Sequence, residues 1–208
     1  MTPVPPAEIS SSVRENILRA AAATLAAQGF KKSTARAIAR TGGFAPGVIY
    51  YYFSNLDDLF VATAEYTSSD RFARYRARTE GIEAARDLLD ALRQLYREDQ
   101  GQGHVAAVQE LTAAAVSSPR LAEQVRLQTA RWQELAENLI RTQIQGQAFE
   151  SFVPVGALAS MAVGAYLGLE MLSHLDGDRS TPEELFAAAE PVAAMIDMLR
   201  GQTDLLTD

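Results

Sequence analysis

No cysteine occurs among the 208 residues, so neither a disulfide framework nor a thiolate metal site can form. Histidine is scarce, with only His104 and His174, and there is no HExxH, nucleophile-elbow or P-loop pattern. That leaves little material for catalysis, and no enzyme activity, metal or cofactor is expected. Long hydrophobic runs are also missing. The longest uncharged apolar stretch, Val155 to Leu169, has about 15 residues, where a membrane span needs roughly 20. The N-terminal MTPVPPAEISSS lacks the basic-then-apolar order of a secretory signal, and residues 1–11 read as a flexible proline-rich arm. A soluble, cytoplasmic protein with no membrane partner follows. β-Alternation, repeats and low-complexity tracts are absent too, which removes the all-β and solenoid classes.

Basic charge is in deficit overall, at a net −7, but it is not evenly spread. Residues 1–56 carry six basic side chains (Arg14, Arg19, Lys31, Lys32, Arg36, Arg40) against Glu8 and Glu15, a net +4. The remainder carries 13 basic against 24 acidic groups, a net −11. Such asymmetry points to a small basic module on an acidic body. Screening at physiological salt acts over about 8 Å, so a local basic patch can still attract phosphate backbones.

What the sequence does contain is helix signal. Ser12-Val13-Arg14-Glu15 has the form of a capping box, and Val13, Ile17, Ala20, Ala21 and Leu25 follow as an apolar stripe that stops at Gly29. Thr34 can cap a short second helix, ARAIAR, ending at Thr41-Gly42-Gly43. A third would open at Ala45 with Pro46 in its first turn, and Asn55 can cap a fourth, whose Asp57 and Asp58 complement the helix dipole. Longer helices are expected over about 56–79, 82–99, 103–117, 119–145, 155–175 and 182–200. The last would begin at Thr181-Pro182-Glu183-Glu184 and kink at Pro191. The fold class is all-α.

TGGFAPGVIYYYF, residues 41–53, is the most distinctive stretch. Four adjacent aromatics have high β-propensity, yet Pro46 and Gly47 precede them and polar SNLDDL follows. Two short helices joined by TGGF fit a helix-turn-helix, in which the second helix enters a DNA major groove. At 3.6 residues per turn Ile49 and Phe53 point inward with Tyr52 beside them, while Gly47, Val48 and Tyr51 share another face with Tyr50 at its edge. From the string alone, packing and DNA contact are both open for Tyr50 and Tyr51.

The segment Arg14 to Phe60, about 47 residues, resembles the DNA-binding region of TetR-family transcriptional regulators. The resemblance rests on Ile17-Leu18 with Ala20-Ala21, Gly29-Phe30, Thr34 with Ile38-Ala39, Gly43, Gly47, Ile49-Tyr50, Phe53 and Leu59. It implies a three-helix DNA-binding head over residues 1–55 and a helical effector-binding and dimerisation domain over 56–208. It further implies a homodimer that binds a near-palindromic double-stranded operator, as a repressor, and is released by a small-molecule effector. In this register Thr34, Arg36, Pro46, Gly47, Val48, Tyr50, Tyr51 and Asn55 are the expected DNA contacts, with Lys31 and Lys32 giving diffuse attraction. Two positions depart from the family pattern. Ala45 replaces the common Ser cap of the recognition helix, and Leu56 stands where a phosphate-gripping Lys is usual.

The helix from Val155 is apolar nearly all round and must be buried on more than one face. Leu158, Ala162, Ala165, Leu169 and Leu172 form one stripe, expected with Met195 and Leu199 at a dimer interface. Val163, Leu167, Glu170 and His174 form a second, expected to line a ligand site together with Tyr66, Tyr96 and Trp132. That lining is aromatic and aliphatic, so a hydrophobic or aromatic effector is expected. Core packing is the competing reading for Tyr66, Tyr96 and Trp132, and a Glu170–His174 pair for the two polar groups. An all-α ligand-binding or interaction dimer without operator binding is the alternative function, but it leaves the basic N-terminal module unexplained.

Overall fold

The computed structural model describes residues 6–102, 104–176 and 180–207, with side chains over 12–99, 105–169, 171–172 and 182–200. All regular elements among them are helical: α1 (Pro6–Gln28), α2 (Ala35–Gly42), α3 (Gly47–Tyr52), α4 (Leu56–Thr79), α5 (Ala85–Gln102), α6 (His104–Ala115), α7 (Pro119–Ile144), α8 (Val155–Asp176) and α9 (Ser180–Thr207). Short 3-10 turns occur at Phe30–Lys32 and Glu150–Phe152.

Local chemistry explains most boundaries, and tertiary partners explain the departures. α1 starts at Pro6, so residues 6–11 are helix rather than arm, and Ser12 lies inside it. Glu15 does not complete a capping box; its carboxylate pairs with Arg19 at 2.7 Å, one turn along. Gly29, at φ 76°, ends α1 as expected. α5 begins at Ala85 and not at 82 because its cap comes from α9, where the Asp197 carboxylate accepts the N–H groups of Ala85 (2.6 Å) and Arg86 (3.2 Å). α9 begins at Ser180, and Glu183 turns away from its own helix end to form a bidentate pair with Arg97 at 2.7 and 2.8 Å. The helix continues through Pro191 and past Gly201 to Thr207.

The chain divides into two compact units. The first comprises Met1–Asp70 and Gln102–Gln128. Its core joins Ile17, Leu18, Ala21 and Leu25 of α1 with Ile38, Ile49, Phe53, Leu59 and Phe60, and extends to Ala107, Leu111 and Leu121. The expected three-helix head therefore shares its core with the start of α4, with α6 and with the start of α7. A buried hydroxyl pair, Thr24 to Thr41 at 3.0 Å, ties α1 to α2. Glu110 of α6 accepts the N–H of Phe30 at 2.7 Å, which fixes the turn after α1.

The second unit comprises Arg71–Gly101 and Thr129–Asp208. It buries Leu88, Leu95, Tyr96, Ile144, Ala159 and Ala193, and a polar cluster lies among them. Asp99 of α5, 0% exposed, accepts from Arg71 Nε (2.8 Å), Arg74 (2.7 Å) and Tyr75 (3.0 Å), all on α4. Arg71, 4% exposed, also donates to the Tyr166 hydroxyl, and its guanidinium carbon lies 5.3 Å from the ring centroids of both Trp132 and Tyr166. Burial alone would lower the Arg71 pKa, but Tyr166 and Asp99 outweigh it and push the value up, keeping the charge. Burial and then the Asp99 carboxylate push the Tyr75 hydroxyl up as well, so it remains a donor. Arg200 of α9 completes the unit by donating to the last carbonyls of α7, Thr142 (2.9 Å) and Gln143 (2.8 Å).

Candidate nucleic-acid interface

The candidate interface grows from α2, a tight turn and α3. The Thr34 side-chain oxygen accepts the N–H of Ala37 at 3.2 Å and opens α2 as its N-cap. Gly43 closes it in the left-handed conformation, φ 71° and ψ 31°, where a side chain would be strained. The preceding glycine has a different reason. A Cβ on Gly42 would lie 2.1 Å from the Phe44 ring and 2.9 Å from Ala20, so the aromatic ring can seal the turn only against a bare backbone. α3 opens at Gly47 and not at Ala45, with Pro46 at the cap position and no side-chain cap bond.

α3 is pinned by Ile49 and Phe53, both buried, with Val48 and Tyr52 packed against the same core. Val48 is therefore less available to a groove than its place beside Gly47 implied. Arg14 covers the Phe53 ring from α1 at 5.3 Å. What remains on the outer surface is Ala45, Pro46, Gly47, Tyr50 and Tyr51. Tyr50 is 54% and Tyr51 83% exposed. No atom lies within 4 Å of where a Gly47 Cβ would stand, so this fold does not itself require glycine there.

Arg36 and Arg40 on α2 are exposed, as are Lys31 and Lys32 before it. No acidic side chain occurs between Glu15 and Asp57. Asp58, the second acid after that gap, is drawn off by Arg120 at 2.6 Å. Asn55 uses its Oδ1 to cap α4 through the N–H of Asp58 at 2.8 Å, which leaves its Nδ2 hydrogens to donate outward. Thr34 is similarly committed as an acceptor but keeps its hydroxyl hydrogen. Leu56, in the place of the usual lysine, packs against the core. The surface is positive, exposes its recognition helix, and carries hydroxyl, amide and guanidinium donors suited to phosphate oxygens.

The residues expected to hold an effector are divided between the units. Tyr66 packs against the core of the first unit, where with Glu15 it raises the pKa of Arg19. Tyr96, Trp132, Val163 and Leu167 belong to the second. Tyr96 is buried with its ring 5.8 Å from Tyr166 and from Phe186, and Trp132 meets Phe72 at 5.6 Å and Tyr75 at 5.1 Å. The side chains of Glu170 and His174 lie outside the described ones. An open groove of about 560 Å³ is lined by residues including Arg141, Ile144, Gln147, Glu150 and Val153, and by none of the expected set. The Asp99 cluster was not foreseen. Its only local signal is that Arg71, Arg74 and Tyr75 fall at i, i+3 and i+4 on one helix face.

Two short helices at a glycine turn, in a chain whose described regular elements are all helical, have the form of a helix-turn-helix. Residues 17–63 match bacterial regulatory proteins of the tetR family, and the chain is similar to members of that family. It is 27% identical over 113 residues to the HTH-type transcriptional regulator UidR of Escherichia coli K12, covering 54% of this chain and 57% of UidR. The match thus spans little more than half the length of that relative. A protein from Rhodococcus sp. assigned to the TetR-family transcriptional regulators superposes with a TM-score of 0.71 at 26% identity, covering 91% of this chain and 98% of that one. The transcriptional regulator FadR from Bacillus subtilis, solved in complex with stearoyl-CoA, superposes with a TM-score of 0.69 over 88% of this chain and 96% of its own. At 18% identity that likeness concerns the fold alone.

Proposed function

We propose that this chain is a cytoplasmic repressor that binds a near-palindromic operator as a homodimer and is released by a small hydrophobic or aromatic effector. The observation that carries the DNA reading is the outer surface of α2 and α3, which is exposed, basic and free of acidic side chains. Residues 1–55 serve as the DNA-binding domain and 56–208 as the effector-binding and dimerisation domain. Arg36, Tyr50 and the Asn55 amide supply phosphate or base contacts, and Pro46 and Gly47 let the backbone approach the groove.

Dimerisation is supported by the outer faces of α8 and α9. Leu158, Met161, Met171 and Leu172 on α8, with Leu185, Val192, Met195 and Met198 on α9, are large apolar side chains left exposed, Met161 and Met198 at 67% and 66%. Ala162 and Ala165 are exposed between them, while Leu169 and Leu199 are half-buried at the margin. Contiguous apolar patches of this kind mark association surfaces. Gly164 and Gly168 also stand in open space, at about 1 kcal/mol each relative to alanine in a helix. A second helix packing closely there gives them a reason.

The effector reading rests on the aromatic interior of the second unit, Tyr96 and Trp132 with Val163 and Leu167. α4 continues from the first unit into the second at Asp70–Arg71, as α7 does at Gln128–Thr129, and α4 is the element proposed to carry the coupling. A coupling of ~1–3 kcal/mol corresponds to roughly 5- to 150-fold in operator affinity, and operator must weaken effector binding by the same factor.

The test is a gel shift over a salt series with a duplex selected from a randomised library. Affinity is expected to fall steeply with salt, each phosphate contact adding about −0.9 to the log–log slope. Tyr50→Phe is expected to weaken selected and unrelated duplexes by similar factors, since a phosphate contact positions without specifying. Recovery of no duplex at low salt leaves only the interaction-dimer alternative.

A further inference from the structure

Resting on the operator reading above, we infer that the operator positions beneath α3 are read through the C5-methyl groups of thymine, with Tyr51 making the contact. Direct reading of guanine takes Arg or Lys, of adenine Asn or Gln, and of cytosine Asp or Glu. None of these six residue types occurs in residues 41–53, the turn and the whole of α3. The outer surface of that segment offers methyl, pyrrolidine and phenol groups, from Ala45, Pro46, Tyr50 and Tyr51, beside bare backbone at Gly43 and Gly47, while the exposed Thr41 turns its hydroxyl to Thr24 and the Ala37 carbonyl. Among the features that base pairs present in the major groove, the thymine methyl is the apolar one. For the rings and methyl groups of this face the thymine methyl is the complementary target, while the two phenol hydroxyls remain hydrogen-bonding groups.

Tyr51 is the side chain placed for it. At 83% it is among the most exposed large side chains described. The ring is nevertheless held: it meets Tyr52 edge-on at 5.1 Å and 76°, and Tyr52 is packed against the head core. Tyr51 thus projects before any partner arrives, at little ordering cost on binding. Gly47, one turn earlier on the same face, has empty space where its side chain would be, so the helix can sit close enough for the ring to reach the groove. Guanidinium readout is confined to α2, where Arg36 and Arg40 are exposed. Guanine is therefore expected at positions reached from outside residues 41–53, by Arg36 and Arg40 or by the exposed Lys31 and Lys32.

Deoxyuridine keeps every hydrogen-bonding group of thymidine and lacks only the methyl, so it isolates this term. The full-length protein is used to select duplexes from a randomised library, and the tightest is resynthesised with deoxyuridine at one thymidine position at a time. At one or more positions in each half-site the affinity is expected to fall about fourfold, as for loss of one buried CH2-sized group, and roughly 16-fold when both symmetry-related methyls are removed. Tyr51→Ala should bind thymidine and deoxyuridine duplexes equally, while Tyr51→Phe keeps the discrimination. The exposed position makes both variants fold-neutral, which circular dichroism checks. Deoxyuridine tolerated at every position, or a selected half-site with only G·C pairs beneath α3, overturns this inference and leaves the operator reading standing. Recovery of no duplex at all overturns both.

Discussion

Asp99→Ala is expected to lower the stability of the chain by about 3–5 kcal/mol, a large part of the ~5–15 kcal/mol that holds a typical protein folded. The carboxylate is wholly buried and accepts from Arg71, Arg74 and Tyr75 at 2.7–3.0 Å. Its removal leaves the Arg71 guanidinium inside the second unit with the Tyr166 hydroxyl and two aromatic faces but, among the described side chains, no counter-charge. Stranding a buried charge costs more than the net gain from the pair, so the loss should be largely reversed by deleting the charge as well. Urea denaturation of Asp99→Ala and of the Arg71→Met/Asp99→Leu double variant measures both effects. The single variant should show a much lower midpoint, and the double variant should recover a substantial part of it. A loss below about 1 kcal/mol for Asp99→Ala would mean that water reaches the cluster and screens it.

Ala165→Arg should separate the dimer. Ala165 is exposed on α8 between Met161 and Leu172, so the arginine fits the isolated chain without strain. In the proposed assembly it is buried without a partner, at several kcal/mol in each of two symmetry-related positions. Light scattering should report a monomer for the variant and a dimer for the parent at the same concentration. Aggregation of the variant would also support an interface that the monomer cannot leave bare. A soluble dimer unchanged by Ala165→Arg would place the contact on another surface.

The head was legible because its signals are local. Thr34 caps α2, Gly43 takes the left-handed conformation, Asn55 caps α4, and Ile49 and Phe53 turn inward, each within a few residues of the element it shapes. The α4 boundaries at Leu56 and Thr79 follow for the same reason. Errors arose where a distant residue supplied the cap or the partner. Asp197 caps α5 from more than a hundred residues away, and Glu183 reaches Arg97 instead of its own helix end. Ser12 and Glu15 show the converse: the spacing of a capping box also occurs mid-helix, where Glu15 has Arg19 as a better partner. The interior of the second unit was the least legible part. Tyr96 and Trp132 stand out in the sequence as aromatics, but Arg71 and Asp99 become a site only when α4 meets α5, which no periodicity records.

A hydroxyl-radical footprint of the full-length protein on its selected duplex tests the central claim most directly. Two heads on one dimer should protect two segments whose centres lie one helical turn, about 34–36 Å, or a whole number of turns apart. Arg36→Ala should weaken both segments equally, because each is covered by the same surface of one protomer. A single protected segment, or no protection at low salt, would contradict the account.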